Sequence, residues 1–191
     1  MKKIIVMQLS RMGDLIMTLP LLEALKQAHD PCHITLISYK GFSSFLNNIP
    51  CVDRHRMLEP GELNPMYKYM TSLKSKEQSI NLEEEYPEMV ENYDLAINLA
   101  FDILPAKIWK RVNASKKTGR VAAADDEVRL LGDWMKYLFS ITQSRDYGLF
   151  HMSDVFIRCG NVPNHGRFQL LDFLLDKTSG ATEILEHAGY N

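Results

Sequence analysis

Cysteine is scarce in this sequence, and long apolar runs do not occur. Three cysteines are spread over 191 residues without CxxC spacing, which argues against a disulfide scaffold or a zinc knuckle. Nowhere do about 18 apolar residues run together, the length that a membrane-spanning helix needs. Polar residues interrupt the apolar N-terminal run before the core of a secretion signal is complete. We therefore expect a reduced, cytoplasmic protein without a membrane span.

Two common phosphate-binding motifs are also missing. No G-x-G-x-x-G follows the first apolar run, so an NAD-binding domain would lack its pyrophosphate loop, and no G-x-x-x-x-G-K-[ST] occurs. The net charge of -2 argues against nucleic acid as a partner, because such binding rests on neutralising phosphates. Hydrophobic residues make up 46% and charged residues 24%, as in ordinary globular domains. The composition predicts one folded domain in which any anion site is local.

Short apolar segments alternate with amphipathic ones along the chain. This alternation predicts an α/β fold, a doubly wound parallel sheet of five or six strands that is Rossmann-like. Pro20 is expected to kink or restart the first helix, with Thr18 as the cap. We predict one domain over 1–163 and a linker or tail over 164–191. The predicted elements are strands over 3–9, 33–38, 54–58, 94–99 and 117–121, and helices over 14–28, 41–47, through 108–109, over 130–140 and over 151–159.

The turn between the first strand and the first helix carries the most informative residues. Parallel sheets bind ligands at the carboxyl ends of their strands, and residues 8–20 read QLSRMGDLIMTLP. Gly13 would allow a tight turn or a close approach of substrate. Asp14 would begin the helix, where the helix dipole stabilises a carboxylate that can accept a proton from a hydroxyl group. The alternative is that Asp14 only caps the helix and Gly13 only permits the turn.

Three later blocks extend this pattern. They are YDLAINL at 93–99, Thr118-Gly119-Arg120, and HMSD at 151–154. Together with the first block they resemble the lipopolysaccharide heptosyltransferases of glycosyltransferase family 9, whose members open with a strand, S-x-x-G-D, a helix and T-x-P. The resemblance covers roughly residues 3–163. It implies the N-terminal, acceptor-binding half of a two-domain GT-B enzyme, inversion at the anomeric carbon, and Asp14 as the general base.

The resemblance also implies the partners. The donor would be an ADP-sugar, held mainly by a C-terminal domain that this chain does not supply, so the 191 residues alone are expected to be inactive. The acceptor would be an acidic, lipid-linked inner-core oligosaccharide of lipopolysaccharide, with peripheral contact at the cytoplasmic face of the inner membrane. No separate cofactor is expected. The candidate acceptor-binding residues are Ser10, Arg11, Gly13, Lys40, Arg120 and His151, and Arg145 is a further cation to consider.

Several alternatives remain open at this stage. The donor could be another nucleotide sugar, since S-x-x-G-D concerns the acceptor, or the chain could be a non-catalytic, flavodoxin-like binding module in which Asp14 is structural. Each cation could be a solvated surface charge, and His151 could be a helix cap or a surface imidazole.

No metal site is expected. The pairs Cys32-His33 and Cys51 with His55 lack the usual ligand spacing, and residues 125–127 read DDE rather than the D-x-D of metal-dependent glycosyltransferases, which favours a solvated acidic turn. The polar region over 59–91 is expected to be surface helix and loop, and it matches no block of the resemblance.

Overall fold

The computed structural model describes residues 1–42, 49–62, 87–123, 127–144 and 148–163. Within these ranges the chain forms six strands and five α-helices. The strands are β1 (Lys2–Met7), β2 (Cys32–Tyr39), β3 (Arg54–Leu58), β4 (Asn92–Asn98), β5 (Asn113–Ala122) and β6 (Val128–Leu131). The helices are α1 (Met12–His29), α2 (Pro87–Val90), α3 (Ile103–Trp109), α4 (Asp133–Gln143) and α5 (Met152–Cys159). Single 3-10 turns lie at Lys40–Phe42 and Pro60–Glu62.

The six strands form one sheet in the order β3-β2-β1-β4-β5-β6. The first five strands in this order are parallel, and β6 runs antiparallel to β5. The predicted doubly wound parallel sheet is therefore confirmed, with an antiparallel strand at one edge. The strand order reverses between β1 and β4, and the crevice at the carboxyl end of such a switch point is where open α/β sheets bind ligands.

Both faces of the sheet are covered, which explains why β1 is apolar without alternation. Ile4 and Val6 join a core cluster with residues of α1, α4 and α5, whereas Ile5 and Met7 join a second cluster around Trp109 of α3. All of these side chains are completely buried. A central parallel strand with helices on both sides needs apolar residues at every position, so the continuous run of the sequence predicts its place correctly.

The first helix differs from its prediction in two respects. It begins at Met12 rather than at Asp14, and it continues through Pro20 to His29 without a restart. Thr18 therefore lies inside the helix and is not a cap for a second one. Its buried hydroxyl donates instead to the carbonyl of Asp14, at 2.8 Å.

The edge of the sheet was not predicted. A helix was expected to begin at Leu130, but Val128–Leu131 is strand β6 and the helix begins at Asp133. Gly132, with φ of +99°, separates the two elements. The predicted short strand over 117–121 is the middle of the longer β5.

Other predictions fall partly or wholly outside the described residues. Of the helix expected over 41–47, only the residues up to Phe42 are described, and they belong to a 3-10 turn. The polar region over 59–91 is described only at its ends, which contain Pro60–Glu62 and α2. Residues 124–126 and the expected tail over 164–191 also lie outside the described ranges, so the domain boundary at 163 stays a prediction.

Candidate active site

A cleft opens at the carboxyl edge of the sheet, at the switch point between β1 and β4. It encloses about 440 Å³. Arg11 and Asp14 reach it from the start of α1, and Phe101 reaches it from the loop after β4. The remaining wall is formed by Ile141 and Thr142 of α4, by Gly148 and Phe150, and by Met152 of α5. Two independent segments that end parallel strands thus meet at one concave surface, where the strand order predicts a ligand.

Asp14 is half-buried and occupies the third position of α1. Its Oδ2 accepts a hydrogen bond from the backbone N–H of Arg11, the N-cap residue, at 3.3 Å. Arg11 has no side-chain acceptor to offer in return, so only this half of a capping box forms. Within the described part of the chain, Oδ1 accepts no hydrogen bond. The carboxylate therefore caps the helix with one oxygen and leaves the other for a group in the cleft, so the structural and catalytic interpretations are compatible.

A second cleft of about 560 Å³ adjoins the first and shares Phe101 and Thr142 with it. Arg120 of β5 lines this second cleft, and its guanidinium carbon lies 5.3 Å from the centre of the Phe139 ring. Burial lowers the pKa of Arg120, and the negative charge of Asp102 in the same cleft opposes that change. Arginine nevertheless stays protonated in proteins. The two clefts together form a groove with Asp14 at one end and the partly buried Arg120, near Asp102, at the other.

A buried asparagine holds the walls of this groove together. Asn98, at the end of β4, donates from Nδ2 to the carbonyl of Arg120 at 2.7 Å and accepts the N–H of Ala100 at 3.0 Å. Opposite it, Gly119 has φ of +106°, and a Cβ there would lie 2.0 Å from the carbonyl oxygen of Asn98. Only glycine fits this close approach of two strands. The loop that carries Phe101 is thereby fixed to the strand that carries Arg120.

Comparison with known proteins adds to this geometry. No protein-family model matches the chain, and no curated protein matches it. Among solved structures, the chain is similar to a glycosyltransferase of family 9 from Veillonella parvula, at 19% identity and a TM-score of 0.54, over 83% of this chain and 40% of that one. It is also similar to E. coli heptosyltransferase WaaC with ADP, at 16% identity and a TM-score of 0.57, over 87% of this chain and 49% of that one.

The chain shares its fold with family 9 glycosyltransferases. A further structure of WaaC, with ADP-2-deoxy-2-fluoro heptose, gives the same TM-score of 0.57 over 50% of its length. The chain thus spans half or less of the length of these glycosyltransferases. The predicted resemblance is confirmed at the level of the fold.

Within this glycosyltransferase fold, three of the predicted site residues line the groove. Asp14 and Arg11 line the first cleft, and Arg120 lines the second. Ser10 is half-exposed beside Arg11 but is not among the lining residues. The roles assigned to these residues stay predictions.

The remaining site predictions lie elsewhere. Lys40 is exposed and pairs with Glu59 at 3.0 Å, beyond the ends of β2 and β3. His151 is the N-cap of α5, where Nδ1 accepts the N–H of Ser153 at 3.3 Å; its neighbours line the first cleft, but its own ring does not. Arg145 lies outside the described residues.

The predicted role of Gly13 in a tight turn is wrong. Gly13 is the second residue of α1 and does not adopt a left-handed backbone conformation. A Cβ at this position would meet nothing within 4 Å. The alternative expectation, a close approach of substrate to this backbone, stays a prediction.

Sequence reasoning missed the aromatic and threonine side chains of the groove. Phe101 and Asp102 lie in the short loop after β4, so the rule that selected residues after β1 would have found them had it been applied to the next strand across the switch point. Phe139, Thr142 and Phe150 have no such signal, because they reach the groove only through the packing of α4 and α5.

Two absences concern the described ranges alone. No group of three or more His, Cys, Asp or Glu side chains gathers there in a way that suits a metal ion. No helix in the described part is long and apolar enough to span a bilayer.

Proposed function

We propose that this chain is the acceptor-binding half of a glycosyltransferase that transfers a sugar, most simply a heptose, from an ADP-sugar to an acidic lipid-linked acceptor of lipopolysaccharide. The reaction would take place at the cytoplasmic face of the inner membrane. One observation carries the proposal: the Asp14 carboxylate faces a cleft at the switch point of the sheet. The likeness of fold to a family 9 glycosyltransferase and to a heptosyltransferase supports it.

Asp14 is the general base in this proposal. An acceptor hydroxyl in the cleft donates a hydrogen bond to Oδ1, while the Arg11 N–H holds Oδ2. As the hydroxyl oxygen forms its bond to the anomeric carbon, its proton moves to Asp14. The bond between that carbon and the diphosphate oxygen breaks, and its electron pair leaves with ADP. Attack from the face opposite the leaving group inverts the anomeric configuration, and a general base of this kind contributes about 10²–10⁴-fold to the rate.

The remainder of the groove suits an anionic, partly apolar acceptor. Arg120 offers a guanidinium that is only partly exposed, and a carboxylate or phosphate that binds there forms charge-assisted hydrogen bonds with little competition from water. Arg11 places a second cation beside the general base. The rings of Phe101 and Phe150 give the sugar an apolar surface between these charges.

The donor's diphosphate is assigned to a second domain. The sequence has no glycine-rich phosphate loop after β1, and the chain spans half or less of the solved glycosyltransferases that it resembles. Stabilisation of charge on the leaving group is usually a large part of catalysis. We therefore expect full activity only from a protein that includes that domain.

The test is a transfer assay with the full-length protein encoded by the gene. The acceptor is a lipid-linked oligosaccharide with carboxylate or phosphate groups, and the donors are ADP-heptose, UDP-glucose and GDP-mannose. Mass spectrometry detects the product, and NMR determines its anomeric configuration. We expect transfer of one heptose from ADP-heptose, with inversion. Transfer from UDP- or GDP-sugar alone would contradict the assigned donor, and no transfer from any donor would contradict the enzymatic proposal.

A further inference from the structure

Two polar side chains lie in the core directly beneath the candidate general base. Gln8 follows β1 and Thr18 lies in the second turn of α1. Both have no exposed surface at all. Neither can therefore touch a substrate in the cleft, yet both are connected to the residue that does.

The connection is a chain of two hydrogen bonds. Gln8 Nε2 donates to Thr18 Oγ1 at 3.1 Å, and Thr18 Oγ1 donates to the backbone carbonyl of Asp14 at 2.8 Å. The direction of this chain is fixed by chemistry. A carbonyl only accepts and a hydroxyl has a single proton, so Thr18 must donate to Asp14 and must accept from the amide group of Gln8.

The N-terminal part of α1 lacks hydrogen bonds that other helices have, so these two bonds matter for its position. Pro20 has no N–H, so it cannot donate to the carbonyl of Ile16, and the helix is one hydrogen bond short just after the turn that carries Asp14. Arg11, at the N-cap, provides no side-chain cap. The chain from Gln8 links this turn to the end of β1, which is hydrogen-bonded to strands on both sides.

Stability alone does not account for Gln8. Its Oε1 is buried and has no hydrogen-bond partner within the described residues. An unpaired buried acceptor is destabilising, and an apolar side chain of similar size would avoid that cost. An apolar residue would fill the core at lower cost, whereas glutamine provides a hydrogen-bond donor to Thr18.

We infer that Gln8 and Thr18 are positioning residues, which hold the first turn of α1 so that the Asp14 carboxylate keeps its orientation toward the cleft. The inference rests on the proposed function in one respect, namely that the orientation of Asp14 matters for transfer. The mechanical part, that the buried pair holds the first turn, stands without it.

The experiment compares three variants that change one buried threonine each. Thr18→Val removes the hydroxyl and keeps the shape, and Thr18→Ser keeps the hydroxyl. Thr118→Val is the matched control, because the Thr118 hydroxyl also donates to a backbone carbonyl and lines neither cleft; the carbonyl of Leu131 lies at 3.0 Å and that of Cys159 at 3.3 Å.

The first readout is the hydrogen exchange of two backbone amides, measured by NMR without substrate. The Arg11 N–H donates to Asp14 Oδ2, and the Leu15 N–H donates to the Arg11 carbonyl. We expect Thr18→Val to accelerate their exchange about fivefold or more, as the loss of one hydrogen bond implies. In Thr18→Ser and Thr118→Val this exchange should stay near the wild-type rate. Equal exchange in Thr18→Val and wild type would overturn the inference.

In the transfer assay, Thr18→Val should lower kcat about tenfold or more with acceptor KM unchanged, because small misplacement of a catalytic group is costly. Thr18→Ser should restore most of the rate. A kcat loss as large in Thr118→Val as in Thr18→Val would mean that destabilisation alone explains it, and would also overturn the inference. A wild-type protein without transfer activity would refute the proposed function, whereas the exchange data would still decide whether the buried pair holds the turn.

Discussion

The close approach of β4 and β5 at Gly119 gives the sharpest prediction about stability. A Cβ at Gly119 would lie 2.0 Å from the oxygen and 2.7 Å from the carbon of the Asn98 carbonyl. These are backbone atoms, so no change of rotamer relieves the contact. Gly119→Ala therefore forces the two strands apart at the edge of the sheet where the groove lies.

The size of the effect follows from three contributions. Alanine with φ near +106° costs about 1–2 kcal/mol. The two hydrogen bonds of the Asn98 side chain, to Arg120 and Ala100, are each worth about 1 kcal/mol and are distorted when the strands separate. We expect the free energy of unfolding to fall by about 3–4 kcal/mol, a large loss for a single substitution.

The assay is urea unfolding followed by circular dichroism, with Gly13→Ala as the matched control. Gly13 lies in α1 with open space around its Cα, so alanine there should raise the free energy of unfolding by about 0.5–1 kcal/mol. The same chemical change is thus expected to have opposite signs at the two positions. A Gly119→Ala protein within about 0.5 kcal/mol of wild type would refute the reasoning from backbone contact.

Three further predictions concern single side chains. Burial lowers the pKa of His55 to about 4 from an ordinary 6.5, so the folded protein should lose about 2–3 kcal/mol as pH falls from 6.5 toward 4, and His55→Gln should lose less in urea unfolding over that range. Burial tends to raise the pKa of Asp53, but hydrogen bonds from Lys26 at 2.5 Å and from the Ile34 N–H at 2.6 Å keep it below the ordinary value. Asp53→Asn should therefore lower the free energy of unfolding by about 1 kcal/mol at neutral pH. The difference between wild type and variant should vanish as pH falls through the lowered pKa of Asp53. A difference that persists in acid would contradict this assignment. Arg120→Gln should raise KM for the anionic acceptor about tenfold or more with little change in kcat, and an equal rise with an uncharged acceptor analogue would show that its charge is not what binds.

Much of the fold follows from the sequence because its strands have a physical signature that does not depend on distant partners. Ile4, Ile5, Val6 and Met7 form an apolar run that only a doubly covered central strand accommodates. Residues 54–58 were predicted as a strand with the observed bounds. Strand β6 has no such signature, because its residues alternate between exposed and half-buried. It is a strand only through its antiparallel hydrogen bonds to β5. The apolar pair Leu130-Leu131 suits a helix equally well when read alone.

The sequence predicts those site residues that lie within one turn of the chain, but not those that distant segments bring to the groove. Asp14 and Arg11 lie within the turn after β1, so the switch-point rule was enough to bring them to the cleft. Lys40 was predicted as a loop cation that faces an acidic acceptor, but β2 lies on the far side of β1 from β4, and Lys40 pairs with Glu59. The buried hydrogen bond between Gln8 and Thr18 links residues ten positions apart, and neither the kind of bond nor its direction is visible before the helix is placed on the sheet.

The most direct test of the whole account is the turnover number of Asp14→Asn in the full-length protein, with ADP-heptose and the acidic acceptor both saturating. Asparagine still offers an oxygen to the Arg11 N–H and so keeps the helix cap, but it cannot take a proton. Asp133→Asn is the control, since Asp133 also lies in the first turn of a helix but outside both clefts. We predict a fall in kcat of about 100-fold or more for Asp14→Asn, as general-base catalysis implies, and none for Asp133→Asn. A fall of less than about tenfold for Asp14→Asn would contradict the assignment of Asp14 as the general base.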